Sequence, residues 1–407
     1  MTEAQRAELA DLEAREHLTP KEFDRYEFLK KAADADERAK AFIANQNRPY
    51  KDKVSRAANL AWEFYNKLEG KCFISVGGLD SITLLVFLRR WGIDCPAVSV
   101  SSLEDKSIQR IHRALGVTAL KPIKSKVSVL REFGWPVISK EIAGKIDLLQ
   151  RPTPDNATVR HAIITGETGA AGGWSTGSRM QLPRQWLKLF GGYENENEGT
   201  QLGKPDFKVS DKCCYYLKEK PCDDYAKETG RFPYMGLMAS EGGRREKALK
   251  INGCNYYGKT TTRSAPFATF WRDDLLRLTL EMNEWYLSRT DEFPGEPVES
   301  IIPEIYGEIY TDENGLLQTS GAQRTGCSMC GFGIHMEERP HRFDRLWQRN
   351  PKEWEFWMKN VDTLPDGTPY GWGHVLDYIG VKWRDPQDQF IEEPDQLTID
   401  DLQRRKE

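Results

Sequence analysis

Apolar positions Phe23, Tyr26, Leu29 and Ala33 recur at helical spacing. Thr19-Pro20-Lys21-Glu22 stands before them, with a hydroxyl at the N-cap, proline at the first helical position and glutamate at the third, a capping box. The spacing predicts a helical extension over residues 1–48. From Lys71 the pattern changes to short apolar runs alternating with helical periods. Cys72–Val76 reads as a strand, followed by a glycine turn and a helix from Asp80 to about Arg90. Pro96–Ser101 is a second strand and Ser107–Leu115 a second helix. Thr118–Ile123 and Pro136–Ile138 are further strand candidates, separated by a short helical stretch over Val127–Phe133. This alternation predicts an α/β fold with a mostly parallel, twisted sheet flanked by helices. Ligands of such sheets sit beyond the carboxyl ends of the strands, where Gly77 and Gly78 fall.

Residues 150–207 are irregular and rich in Gly, Asn and Pro, and read as an insertion or lid. Tyr234–Met238 reads as a returning strand and Asp273–Trp285 as a helix. After Gly326 the chain is dense in Trp, Phe and His, as for a compact C-terminal lobe. The expected division is an extension over 1–48, an α/β domain over 49–285 with the insertion at 150–207, and a C-terminal lobe over 286–407.

Composition narrows the classes. The chain has 407 residues, 39% hydrophobic and 29% charged, enough for a sizeable core and unlike a membrane-buried protein. The net charge of −4 advertises no global nucleic-acid surface, so one would have to be a local patch. The longest strongly apolar run, Ile82–Leu88, is far short of a membrane span, and Met1–Glu16 lacks the apolar core of a secretion signal. Eight cysteines in such a chain point to metal ligation, reactivity or burial rather than a disulfide framework, and to a reducing cytoplasm.

The candidate chemistry concentrates at Ser75-Val76-Gly77-Gly78-Leu79-Asp80-Ser81. Glycines between a strand and a helix let backbone N–H groups turn inward as an anion nest, and the helix N-terminus adds partial positive charge. Ser81 can donate its hydroxyl to a phosphate. Asp80 would repel phosphate, so its expected role is to hold Mg²⁺ or to cap the loop. A second signal is Cys213-Cys214 with Cys327-Ser328-Met329-Cys330, two pairs whose sulfurs add up to a four-thiolate site for zinc or an iron–sulfur cluster. Cys222 is an alternate ligand.

The glycine segment resembles the Ser-Gly-Gly-X-Asp-Ser loop of PP-loop ATP pyrophosphatases and sulfonucleotide reductases, with Val76 in place of the serine. Gly236-Leu237-Met238-Ala239-Ser240-Glu241-Gly242-Gly243-Arg244-Arg245 is similar to an anion-binding segment of the reductase-like members, keeping Glu241 and the final Arg245 but carrying Met238 where arginine is usual. Glu241, Arg244 and Arg245 are therefore candidate phosphate ligands. Arg263-Ser264-Ala265-Pro266-Phe267 resembles the segment closing the same domain. Cys213-Cys214-Tyr215-Tyr216-Leu217-Lys218-Glu219-Lys220-Pro221 resembles the Cys-Cys-X-X-Arg-Lys-X-X-Pro segment of adenylyl-sulfate reductases, with Leu217 for the arginine. That resemblance implies a [4Fe–4S] cluster rather than zinc, and an adenine nucleotide α-hydrolase-like fold with a Cys-rich C-terminal lobe.

Three functions follow as expectations. The first is an ATP-cleaving enzyme forming AMP and pyrophosphate with Mg²⁺, which adenylylates an acceptor, nucleic acid being the favoured class, for sulfur transfer from a donor protein. The second is a sulfonucleotide reductase, which needs a mobile nucleophilic cysteine near the C-terminus; the sequence has none after Cys330. The third is a non-catalytic nucleotide- or redox-sensing module of a phage or defence system.

Overall fold

The computed structural model of the chain describes residues 1–167, 180–192 and 203–383, apart from 324 and 328, with all their side chains except those of Arg244 and Arg349. The Asn-rich run from 193 and the acidic tail at 392–407 lie outside the described residues. Contacts divide the chain into two units, Met1–Ile123 with Tyr216–Ser328 and Lys124–Tyr215 with Met329–Glu407. Both are discontinuous, so the expected boundaries at 48/49 and 285/286 fall inside the first unit.

Three helices open the first unit: α1 (Glu3–Glu13), α2 (Pro20–Gln46) and α3 (Tyr50–Lys67). The capping box before α2 forms as the sequence implies, with the Thr19 side chain and Glu22 each serving the other's backbone. Leu29 is fully buried against Leu9 and Leu12 of α1, and Tyr26 and Ala33 flank this small cluster, while Phe23 stays exposed. Helix α3 joins the main core through Ala57, Ala58, Ala61 and Phe64. A buried ion pair, Lys53 with Asp274, ties it to the helix Arg272–Leu287.

The main sheet has six strands: β1 (Cys72–Ser75), β2 (Ala97–Ser99), β3 (Thr118–Ala119), β4 (Phe232–Met235), β5 (Asn255–Tyr257) and β6 (Thr262–Ser264). Their order is β3-β2-β1-β4-β6-β5, parallel throughout except for β5, which pairs antiparallel with β6 at one edge. The chain runs outward from β1 through β2 to β3 and then returns on the other side of β1 as β4. The strand order thus reverses at β1, and the crevice at the carboxyl ends of β1 and β4 is the topological switch point.

Helix α4 (Leu79–Arg90) follows β1 and is buried from Ser81 through Leu88. A helix apolar on every side belongs inside a core. Its one central polar residue, Thr83, meets Thr279 hydroxyl to hydroxyl at 2.8 Å. The expected strand Thr118–Ile123 is only two residues long, because the chain leaves the sheet at a Pro122-containing stretch.

The second unit is mainly helical, and its core is built on fully buried Trp135, Phe190, Phe343, Trp354 and Trp372. Trp135 and Trp372 meet edge to face at 4.8 Å between centroids. Pro136–Ile138 forms no regular strand; Trp135 and Ile138 make isolated bridges to Val209 and Phe332. Within the stretch read as irregular, Ala157–Thr165 and Arg184–Phe190 are helices. Buried His341 caps the helix Arg342–Arg349: its Nδ1 accepts from the Asp344 N–H at 3.3 Å, and its Nε2 faces the Lys382 carbonyl at 2.9 Å. That is a satisfied structural histidine.

Candidate functional site

The first unit gathers its chemistry around the turn between β1 and α4. Gly78 is the N-cap of α4 in extended backbone, and its carbonyl accepts from the N–H groups of Ser81 and Ile82. Ser81 folds back over the turn: its hydroxyl accepts from the Gly77 N–H at 2.7 Å and donates to the Gly78 carbonyl at 2.9 Å. The proton expected to reach a phosphate is therefore engaged within the loop. After β4, Gly236 lies so close that a Cβ there would stand 2.9 Å from the backbone of Asp80 and Ser81. Only a glycine lets the end of β4 pack on the first turn of α4 this way.

Two side chains cover the turn from distant segments. The Leu79 N–H, first orphan donor of α4, reaches the Tyr306 hydroxyl at 3.0 Å, and that oxygen meets Thr325 Oγ1 at 2.6 Å. On the other side, buried His112 places Nε2 2.8 Å from the Gly77 carbonyl and Nδ1 2.9 Å from Ser101 Oγ. A carbonyl only accepts, so Nε2 carries the proton and Nδ1 accepts from the serine. Burial lowers the His112 pKa below its ordinary value and outweighs the opposing pull of the Gly77 carbonyl and Glu104. The ring is a neutral strut under the turn.

Charges here come in pairs. Asp80 Oδ1 binds Arg272 Nη1 at 2.8 Å, and Arg272 Nη2 also donates to the Gln323 carbonyl at 3.1 Å. Buried Glu104 holds Lys218 Nζ at 2.6 Å, its Oε1 only 3.7 Å from where a Cβ on Gly77 would sit. Lys218 lies in a π-helical turn, Tyr215–Glu219, a geometry frequent at functional sites. Burial opposes its charge, but the Cys327 sulfur and the Glu104 carboxylate together outweigh burial and raise its pKa. Below β1, Ser75 Oγ and Cys222 Sγ are 3.9 Å apart, and burial pushes the Cys222 thiol up. Val76 is buried in the main core and its side chain offers no polar atom to the turn.

Of the other predicted residues, Cys327 lies beside Lys218. Glu241 ion-pairs with Arg245 one helical turn on, leaving Arg245 more than half exposed; the Arg244 side chain is outside the description. Cys222 and Cys327 belong to the first unit, and Cys213, Cys214 and Cys330 to the second. Among the described residues no three His, Cys, Asp or Glu side chains are gathered closely enough to hold a metal ion. The remaining thiols are suppressed by burial: Cys72 is pushed up to about 11, Cys95 to about 12, and Cys254 upward as well.

Glu104, His112, Arg272 and Tyr306 lie in segments with no motif of their own, and Thr325 stands two residues before the Cys327–Cys330 motif; only the topology brings them to the glycine turn. No helix among the described residues is long and apolar enough to cross a membrane. No protein-family model, no curated protein and no solved structure matches this chain.

Proposed function

We propose that this chain binds an adenine nucleotide at the Gly77–Ser81 turn and cleaves ATP between its α and β phosphates, in the manner of the PP-loop enzymes its sequence resembles. The observation that carries the reading is the position of the turn. It joins a central parallel strand to a buried helix at the point where the strand order reverses, the usual ligand crevice of open α/β sheets. The turn also has cations at hand, Arg272 beside Asp80 and Lys218 beside Glu104. Positive charge beside helix N–H groups suits a departing pyrophosphate.

In this reading the α4 N-terminus and Arg272 stabilise the charge on the β and γ phosphates. Asp80 is the carboxylate offered to Mg²⁺, which would take the place of the Arg272 guanidinium. His112 and Ser81 shape the loop rather than touch the nucleotide. Cleavage leaves an adenylylated acceptor whose oxygen departs with AMP when sulfur attacks, and the acceptor class we favour is nucleic acid. The Cys213-Cys214 and Cys327–Cys330 pattern supports a [4Fe–4S] cluster, with zinc as the alternative, on sequence alone; no step above passes through it. Sulfonucleotide reduction is less well supported, because no cysteine outside that pattern is an activated thiol.

The test is anaerobic purification followed by incubation with ATP, adenylyl sulfate or phosphoadenylyl sulfate, each with Mg²⁺. Pyrophosphate and AMP from ATP support the proposal. Sulfite from either sulfonucleotide, with no turnover of ATP, would overturn it in favour of reduction.

A further inference from the structure

We propose that Tyr306 is the resident occupant of the phosphate subsite and sets which ligands enter it; this rests on the adenine-nucleotide reading above. The Leu79 N–H is the donor an incoming phosphoryl oxygen would take first, and Tyr306 Oη already accepts it at 3.0 Å. A Cβ on Gly78 would stand 2.4 Å from that phenol oxygen and 2.7 Å from Thr325 Oγ1. Both hydroxyls therefore lie directly over the turn, in space that only glycine at position 78 leaves open. Tyr306 is 3% exposed and packs in the same core as Leu79 and Ile82. Its place is built into the fold.

Phenol and phosphate cannot both accept the same N–H in good geometry. A phenol oxygen is a neutral acceptor, whereas a phosphoryl oxygen is charged and makes a hydrogen bond roughly twice as strong. Asp80 and Arg272, paired at 2.8 Å, both lie within electrostatic range of the phenol with opposing charges, so the bias rests on the hydrogen bond itself. An anionic phosphoryl group displaces the phenol, and an uncharged hydroxyl or carbonyl compound does not. Tyr306 stands in a short 3₁₀ turn, Glu304–Tyr306, ended by Gly307 at φ +65°. Its backbone carbonyl is held by the Gly321 N–H at 2.9 Å. The backbone is thus anchored independently of the phenol's bond to Leu79.

Tyr306→Phe keeps the ring and deletes the oxygen. Calorimetric titration of the full chain with inorganic pyrophosphate, without Mg²⁺, should give a Kd about two- to tenfold lower for the variant than for the parent, the weight of one hydrogen bond. The ligand-free variant should also exchange its Leu79 amide faster, a readout that ring packing does not move. Should Tyr306→Phe fail to fold, Thr325→Val, which removes the phenol's second partner, carries the same test with a shift in the same direction. An unchanged or higher Kd in a folded variant, with the parent binding normally, overturns the role of Tyr306 and leaves the nucleotide reading standing. Binding to neither protein, with ATP also failing to bind the parent, overturns both.

Discussion

Alanine at three glycines around the switch point should separate backbone collision, side-chain collision and open space. At Gly236 the new Cβ stands 2.9 Å from the Asp80 carbonyl carbon and from the nitrogen and Cα of Ser81. All three are backbone of the first turn of α4, which is fixed by a helix buried from Ser81 through Leu88 and cannot rotate away. Overpacking of this kind costs about 1–3 kcal/mol. At Gly78 the new Cβ meets two hydroxyl ends, which can swing aside, but the Leu79 N–H then loses its acceptor, at a cost of about 1 kcal/mol. At Gly77 the nearest atoms are at 3.7 and 3.8 Å, ordinary contact. Alanine there costs nothing sterically and restricts the unfolded chain, a gain of about 0.4–1 kcal/mol. Urea unfolding followed by fluorescence should therefore rank the midpoints Gly77→Ala, Gly78→Ala, Gly236→Ala from highest to lowest, at constant slope. A silent Gly236→Ala, or a Gly77→Ala less stable than it, would refute the packing described at the end of β1.

The neutral His112 strut makes stability pH-dependent. Its folded pKa lies below the ordinary 6.5, so below that pH the unfolded chain binds the extra proton and stability falls as pH falls. His112→Gln should flatten the part of this decline that starts near pH 6.5, measured by urea unfolding at pH 5 and 7.5; an identical slope in both proteins would sink the assignment. Asp80→Ala should reduce Mg²⁺-dependent pyrophosphate release to background. The Arg272 pair it breaks is partly solvent-exposed and contributes less than about 1 kcal/mol to the unfolding free energy; turnover at the parent's rate would show that Asp80 holds no metal. Anaerobically purified protein should be brown and lose its visible absorbance in Cys327→Ser or Cys330→Ser, and stoichiometric zinc without iron would contradict the cluster. Thioredoxin-coupled assays should yield no sulfite from adenylyl or phosphoadenylyl sulfate, and sulfite that disappears in Cys222→Ser or Cys254→Ser would reveal an unexpected nucleophile.

Local patterns announced the parts of the fold that local physics decides. The Thr19–Glu22 capping box, the β1 strand and the buried α4 helix each have a signature within a dozen residues, and each stands within a residue or two of its expected place. The returning strand β4 begins at Phe232, two residues before the expected Tyr234, and ends at Met235 before the glycine at 236. Pro136–Ile138 looked like a strand because its residues are apolar, yet burial among tryptophans explains them equally well. The division into two interleaved units was hidden, since nothing at 123 or 216 differs in composition from its surroundings. The glycine turn was legible as a candidate site. Its occupants were not: Tyr306 and Thr325 lie more than two hundred residues from Gly78, and a hydrogen bond across that separation leaves no periodic trace.

The central claim is that the turn after β1 receives the phosphates of an adenine nucleotide. Hydrogen–deuterium exchange of the anaerobically purified full chain, with and without saturating ATP, tests it at the residues concerned. The account predicts that ATP slows exchange in peptides covering residues 72–82, where the phosphates would take the N–H groups of the turn and of the α4 N-terminus. ATP binding that protects other segments while leaving 72–82 unchanged would contradict it.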